Sequence, residues 1–422
     1  MSLFGIDDSQ NRDRRTLVIS WKSGVIPALQ ALGQDVTCVV AASDVTAARA
    51  SGFTGLLVSV RDPGSVEDVL SGLLRNEIDL ESFWAVGSNI ESSVVAASVL
   101  GQLINARCID LQSSILLRDK IAQKQAVREA GIPVADHFSV DSLADVSGME
   151  TRYPVVVKPI AGAGTADTHL VRSADAADRL ARDIGPTAAH GPWAVEEFVD
   201  GPELAVNGVV RDGRLIMLSV SRYLQNLLAI KKGGAVGTVL LNEPGNEQLY
   251  ARARSLTSQA LAALGHTDGV FHLEAFDQGD RLVFGECAGR TGGGMLQEMI
   301  QRKFGVDLVG EWARALLDVP AQIPAQPADG RCYGMANLSC VPGRITAVPT
   351  AAQLAALDGV VEAQVSVRVG DTAPDATTAS NLRVGRFVVA ADSEDSVSKT
   401  LQTVIAWFRT QTSVAPGDPA DE

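Results

Sequence analysis

Two short apolar runs late in the middle third each carry one carboxylate, Glu274 in FHLEAF and Glu286 in LVFGECAGR. Both runs read as strands, and the polar turn Asp277-Gln278-Gly279-Asp280 between them closes a hairpin that sets the acids side by side. Like charges directly opposite each other on a sheet are destabilising without a cation between them. Two such carboxylates bind a hard divalent cation, typically Mg²⁺ carrying nucleotide phosphates. Arg290 follows four residues after Glu286, just before the run Gly292-Gly293-Gly294, and can hold phosphate oxygens bidentately. The pattern points to phosphoryl chemistry.

At 422 residues the chain exceeds what one core serves, so two or three domains are expected. Hydrophobic residues at 46%, charged residues at 20% and a mean hydropathy of +0.12 describe a well-buried globular protein. A formal net charge of −14 leaves no electrostatic footprint for nucleic acid and repels an anionic membrane. Basic residues are locally concentrated, as at Lys231-Lys232, so a small anionic ligand remains compatible. The cysteines 38, 108, 287, 332 and 340 form no CxxC pair, which favours free thiols in a reducing compartment over disulfides or zinc. The polar start MSLFGIDDSQNRDRR argues against a secretory signal, and no apolar run reaches the roughly 18 to 20 residues of a spanning helix. A soluble, cytoplasmic protein is predicted.

Strand-like runs at 16–20, 35–41, 55–60 and 83–88 alternate with helical stretches at 25–32 and 65–75, which predicts a doubly wound parallel domain over residues 1–110. Its first crossover lacks GxGxxG, so no dinucleotide is expected there. Residues 113–130 read as one helix, capped by Ser113 or Ser114, striped by Leu117, Ile121 and Val127, and stopped by Gly131 and Pro133. YPVVVKP (153–159) is a buried strand leading into the loop 161–165. A second hairpin is expected from strand 193–199, the turn Asp200-Gly201-Pro202 and strand 203–210. Leu249, Ala253, Leu256, Ala260 and Leu264 keep helical spacing up to Gly265. After Pro320 the proline-rich PAQIPAQPADG reads as a linker. Short strands at 333–338, 365–369 and 384–389 and a helix at 396–408 follow it, and the tail 413–422 reads as disordered.

Taken in order, LLRDK (116–120), VVVKP (155–159), AGAGT (161–165), EEFVDGPE (196–203), HLE (272–274) and GECAGRTGGG (285–294) resemble the ATP-grasp superfamily. The resemblance covers about residues 110–310. It implies an α/β and α+β multidomain chain: the N-terminal domain, a small lobe over 111–198, a large lobe over 199–322 and a small C-terminal α+β extension over 323–412. It also implies ATP and one or two Mg²⁺ ions. On this resemblance Lys120 and Lys158 hold the α- and β-phosphates, and the loop containing Gly162, Gly164 and Thr165 closes over them with its backbone N–H groups. Backbone groups of Glu196, Glu197, Phe198 and Val199 read the adenine edge, and Glu203 takes the ribose hydroxyls. Glu274 and Glu286 ligate the metal, and Arg290 contacts the transferred phosphoryl group and the substrate carboxylate. His272 shares a strand face with Glu274 and either lines the site or is a satisfied core histidine. Many members carry an asparagine two residues after the second glutamate, where this chain has Ala288. Tyr223, Lys231, Lys232 and the glycines at 233–234 fall in a stretch that reads as a substrate-side flap.

Within the superfamily the run Ala288-Gly289-Arg290 lacks the Gln-Val-Glu-His group of biotin carboxylase-like enzymes. The ExxxRxGG form resembles the L-amino acid ligases, and a homodimer is common in that family. The resemblance implies a carboxylic acid and an amine as substrates, joined through an acyl phosphate, with no protein nucleophile required. Cys287 alternates to the opposite strand face from Glu286 and reads as core. Gly292, Gly293 and Gly294 follow the arginine where bulk limits the acid, which suggests room for a larger acid, as in a peptide-like natural product. A carboxylase- or purine-pathway-type enzyme using bicarbonate or formate is the alternative, and a nucleotide-binding scaffold the other.

Overall fold

The computed structural model describes residues 15–185, 189–325 and 329–415. β1 (Arg15–Ile19), β2 (Asp35–Ala41), β3 (Leu56–Val60) and β4 (Ala85–Gly87) form a parallel sheet in the order β3-β2-β1-β4. Near-continuous apolar runs such as Leu17, Val18 and Ile19 suit strands buried on both faces. The order reverses at β1, so the loops after β1 and β4 open side by side at the carboxyl edge, where doubly wound sheets bind ligands.

The stretch expected as one helix over 113–130 is two, Leu111–Leu116 and Lys120–Glu129. Neither Ser113 nor Ser114 caps a helix; Asp110 caps the first by accepting from Ser113 N. Asp119 restarts the second, its Oδ1 accepting from the N–H groups of Ile121 and Ala122 at 2.9 Å each. This break puts Lys120 at the first helical position, where its side chain points into the interlobe cleft.

β5 (His137–Ser142), β6 (Val155–Pro159), β7 (His169–Val171) and β8 (His190–Glu197) make a small antiparallel sheet, ordered β5-β8-β6-β7. The expected hairpin of 193–210 does not form. β8 is held between β5 and β6, while both edges of β9 (Glu203–Arg211) are taken by β10 (Arg214–Tyr223) and β12 (Gly269–Asp277) in another sheet. Residues 198–202 therefore cross between lobes. Gly201, at φ 140°, lies where an added Cβ would come within 2.5 Å of Asp277 O.

The large sheet has eight strands: β9, β10, β11 (Gly237–Leu240), β12, β13 (Leu282–Ala288), β14 (Cys332–Leu338), β16 (Val360–Val365) and β18 (Gly385–Ala391). Its order, β13-β12-β9-β10-β11-β14-β18-β16, runs on from the carboxylate hairpin into the strands that follow Pro320. One face packs on the helix Glu247–Ala263 through Leu249, Tyr250, Ala253 and Ala260. On the other, Val209 and Val270 meet Trp312 of the helix Leu308–Leu316 and join a cluster that includes Val18 and Val25 of the first domain.

The strand expected at 365–369 ends where it was to begin. Val360–Val365 pairs with β18, and the chain then turns, with Arg368 N donating to Asp371 Oδ2. A third small sheet joins β15 (Gly343–Ala347), β17 (Thr372–Ala373) and β19 (Ser413–Ala415). Residues 413–415 of the expected disordered tail are thus a paired strand, because β15 offers them a free edge; the remainder of that expectation lies outside the described residues. All five cysteines are free thiols. Among the described residues no helix is long and apolar enough to cross a membrane.

Candidate active site

Glu274 and Glu286 are direct register partners on β12 and β13. The register shifts next to them, and an added Cβ at Gly285 would lie 2.8 Å from Glu274 O, so glycine permits the close approach of the two strands. By alternation Glu203, Asn207, His272, Glu274 and Glu286 share one sheet face, and Cys287 turns into the core behind it.

Across the cleft stand three lysines. Lys120 and Lys158 place their Nζ atoms 3.5 and 3.6 Å from Glu286 Oε2. Lys158 also lies 3.1 Å from Glu196 Oε1, and Lys124 lies 3.4 Å from Glu196 Oε2. Burial alone would raise the Glu286 pKa, but Lys120, Lys158, Lys124 and Arg290 hold it far below the ordinary carboxylate range. Burial likewise pulls Lys158 down, and Glu196 and Glu286 outweigh it and hold the ammonium above the ordinary lysine value. The lobes thus meet through a lattice of buried, oppositely charged groups.

Glu274 accepts from Tyr223 OH at 3.1 Å and faces His272 Nε2 at 3.5 Å, while His272 Nδ1 is 2.9 Å from Asn207 Oδ1. Glu203 accepts from Leu227 N at 2.7 Å. Its burial and the neighbouring Glu274 charge push its pKa up to about 8.

The glycine loop lies beside these groups. Gly162 O accepts from Lys120 Nζ at 2.7 Å, and Gly164 and Thr165 take φ values of 64° and 59°. Gly164 O and Thr165 Oγ1 both accept from Ser380 N, at 2.7 and 3.1 Å. Glu196 points inward to the lysines, Glu197 is exposed, and Phe198 and Val199 are half-buried at the crossing. Lys231 donates to Thr378 O at 2.8 Å, and Lys232 is exposed.

Arg290 is held from the first domain. Its Nε and Nη2 donate to Glu91 Oε2 at 3.0 and 2.6 Å, and Arg118 Nη1 reaches Glu91 Oε1 at 3.4 Å. Beside it Lys22 Nζ donates to Asn89 Oδ1 at 2.8 Å and to the Thr291 hydroxyl. Burial and the adjacent Arg290 lower the Lys22 pKa to about 7. Lys22, Asn89, Glu91 and Lys124 were not singled out from the sequence. The first three occupy the loops after β1 and β4, at the switch point that strand order alone marks. Lys124 lies one helical turn beyond Lys120, on the same face.

The three glycines differ. An added Cβ at Gly292 would meet Leu296 Cδ1 at 2.6 Å, Asn207 Oδ1 at 2.8 Å and His272 Nδ1 at 3.0 Å. At Gly293 nothing lies within 4 Å. Gly294, at φ 67°, packs on Met335.

Among the described residues no three His, Cys, Asp or Glu side chains form a preformed metal cage. Glu274 and Glu286 nonetheless supply adjacent carboxylate oxygens of the kind Mg²⁺ shares with phosphate and water, so the residues fit such an ion.

Residues 125–296 match the family model of the ATP-grasp domain, and residues 338–413 that of L-amino acid ligase C-terminal domain 2. An L-arginine-specific L-amino acid ligase of Bacillus subtilis is 25% identical over 345 residues, 80% of this chain and 82% of that protein. The crystal structure of an L-amino acid ligase from Bacillus licheniformis superposes with a TM-score of 0.73 at 16% identity, over 96% of this chain and 100% of the other. A carboxyaminoimidazole ribonucleotide synthase from Aspergillus clavatus, complexed with ATP, gives a TM-score of 0.70 at 19% identity, over 94% and 99%. At these identities the two structural likenesses describe the fold.

Proposed function

The chain belongs to the ATP-grasp ligases, of the carboxylate–amine type that the L-amino acid ligases exemplify, and from that premise we propose that it couples an amino acid, or an acid built like one, to an amine through an acyl phosphate. The observation that carries this is the pairing of Glu274 with Glu286 opposite Lys120 and Lys158, with Arg290 at the same end of the hairpin.

Lys120 and Lys158 now neutralise Glu286; with ATP bound they turn to its phosphate oxygens and offset the charge that a chain of net −14 otherwise repels. Glu274 and Glu286 would hold Mg²⁺, which would supply charge neutralisation at the phosphates. Arg290 orients the acid, and its bidentate hold on Glu91 keeps the guanidinium from swinging away. A carboxylate oxygen of the acid forms a bond to the γ-phosphorus as the bond to the ADP oxygen breaks. The amine nitrogen then bonds to the acyl carbon, phosphate leaves with the C–O electron pair, and the amine proton passes to solvent. Positioning and charge dominate such chemistry.

The open space at Gly293 favours an acid larger than alanine, of the sort a peptide natural product would use. The test is a phosphate-release screen with Mg²⁺-ATP across pairs of acids and amines, the products read by mass. An amide with equimolar ADP and phosphate is expected; bicarbonate- or formate-dependent ADP release with no amine requirement would overturn the proposal.

A further inference from the structure

Residues two apart on a continuous α-helix point to different faces, so Arg118 and Lys120 would diverge if 113–130 were one helix. The break at Asp119 undoes this. Arg118 N donates to Ile115 O as the first helix ends, Lys120 opens the second, and both cations turn to one carbonyl. Gly162 O of the glycine loop accepts from Lys120 Nζ at 2.7 Å and from Arg118 Nη1 at 3.3 Å. The same Nη1 lies 3.4 Å from Glu91 Oε1. The Arg118 Nε and Nη2 have no hydrogen-bond partner among the described residues.

These contacts string the cations of the cleft into a row. Lys158 and Lys120 meet at Glu286 Oε2, Lys120 and Arg118 meet at Gly162 O, and Arg118 and Arg290 share the carboxylate of Glu91. Arg118 thus fills the interval between the lysines that offset the nucleotide's phosphates and the arginine that orients the acid. The group handed across that interval is the terminal phosphoryl. Glu91, its side chain 9% exposed, is one carboxylate between two guanidinium groups, so it neutralises one charge and leaves the other for an anion. A carbonyl oxygen carries only a partial charge, whereas a phosphate oxygen in its place makes a charge-assisted bond about twice as strong. Gly162 is flanked by the exposed Ala161 and Ala163, so its carbonyl can yield that place without unpacking a core.

We propose that Arg118 is a second arginine for the transferred phosphoryl group: it binds the terminal phosphate of ATP in the place Gly162 O now holds, beside Lys120 and across Glu91 from Arg290. The inference rests on the ligase function proposed above and deepens it. A guanidinium fixed there stabilises the charge that spreads over the phosphoryl oxygens in flight. The bonds made and broken are those of the transfer already described. Arg118 exchanges its hydrogen bond to Gly162 O for one to the phosphate and gives up no proton.

Nucleotides that differ by the terminal phosphate test this. ADP and the non-hydrolysable AMP-PNP, each with Mg²⁺, are titrated calorimetrically into wild type, R118Q and E91Q. In R118Q the Kd for AMP-PNP should rise about tenfold or more, as for loss of a charge-assisted hydrogen bond, while that for ADP stays within about twofold. E91Q unties Arg118 from Arg290 and keeps both cations, so it should bind AMP-PNP at least as tightly as wild type. If R118Q fails to fold, R118K, which keeps a charge beside Glu91 but loses the fork, should bind AMP-PNP at least about threefold more weakly with ADP unchanged. Equal losses for the two nucleotides, or no loss for AMP-PNP, would overturn the inference. So would a loss in E91Q that matches the one in R118Q, since Arg118 would then act only as a prop for Arg290. A wild type that binds AMP-PNP through Arg118 but forms no amide in the acid–amine screen would overturn the ligase function and leave the phosphate contact standing.

Discussion

Adding one methyl group at adjacent glycines should have opposite consequences. In Gly292→Ala the new Cβ falls 2.6 Å from Leu296 Cδ1 and 2.8 Å from Asn207 Oδ1. Leu296, Asn207 and His272 are 4%, 0% and 7% exposed, so none has room to retreat. Overpacking a filled interior costs about 1–3 kcal/mol. Parting Asn207 from His272, now 2.9 Å apart, adds about 1–3 kcal/mol for a buried pair left unmade. A total of at least about 2 kcal/mol lowers Tm by roughly 4–8 °C for a cooperative unit of a few hundred residues. Gly293→Ala meets nothing within 4 Å and should shift stability by less than about 0.5 kcal/mol. Gly293→Leu should fold as well and fill the acid side, raising KM for bulky acids while small acids turn over as before. Differential scanning calorimetry, and trapping of the acyl phosphate by hydroxylamine as a hydroxamate across acids of graded size, check this. Equal Tm losses in the two alanine variants, or an unchanged acid-size profile in Gly293→Leu, would refute the claim that Gly293 makes the room and Gly292 the packing.

Glu286→Gln removes the carboxylate that Lys120 and Lys158 both contact, at almost no change in volume. Turnover should fall by at least about 100-fold with a native circular dichroism spectrum, since about 2.7 kcal/mol of lost transition-state stabilisation suffices for that factor; a wild-type rate would contradict the metal assignment. Lys22 gives a pH dependence whose sign runs opposite to that of a stabilising ion pair. Its folded pKa, about 7, lies below its unfolded value, so the cost of burying the ammonium is fully present below pH 7 and is relieved as pH rises from there towards 10.5. Relative to Lys22→Met, the wild-type protein should therefore gain up to a few kcal/mol over that window, measured by urea melts at pH 6 and pH 9; parallel profiles would show that Lys22 is solvated.

The carboxylate hairpin was legible because every part of it is local: alternation along two runs, a turn between them, one acid on each. The parallel sheet of the first domain was legible for a similar reason, its apolar strands spaced by helical stretches. The helix expected over 113–130 shows where periodicity misleads, for the apolar stripe continues through Asp119 while that carboxylate caps a new start. The false hairpin at 193–210 shows the other limit. Local signals placed both strands, but β8 and β9 pair according to which sheet edges remain free, and that depends on strands far away in the chain.

The site divides along the same line. Glu274, Glu286 and Arg290 sit on one short stretch, and their chemistry could be read there; the lysines at 120 and 158 came from the order of motifs. Glu91 lies 199 residues from the arginine it holds, and Lys22 lies 269 from Thr291. No spacing announces such contacts. The amino-acid order alone determined that Glu274 and Glu286 stand side by side with Arg290 just beyond them, because neighbouring strands bring near residues together. Only the tertiary structure decided what surrounds them, since closing the parallel sheet's switch-point loops and the C-terminal strands over the glycine run is a matter of packing between domains.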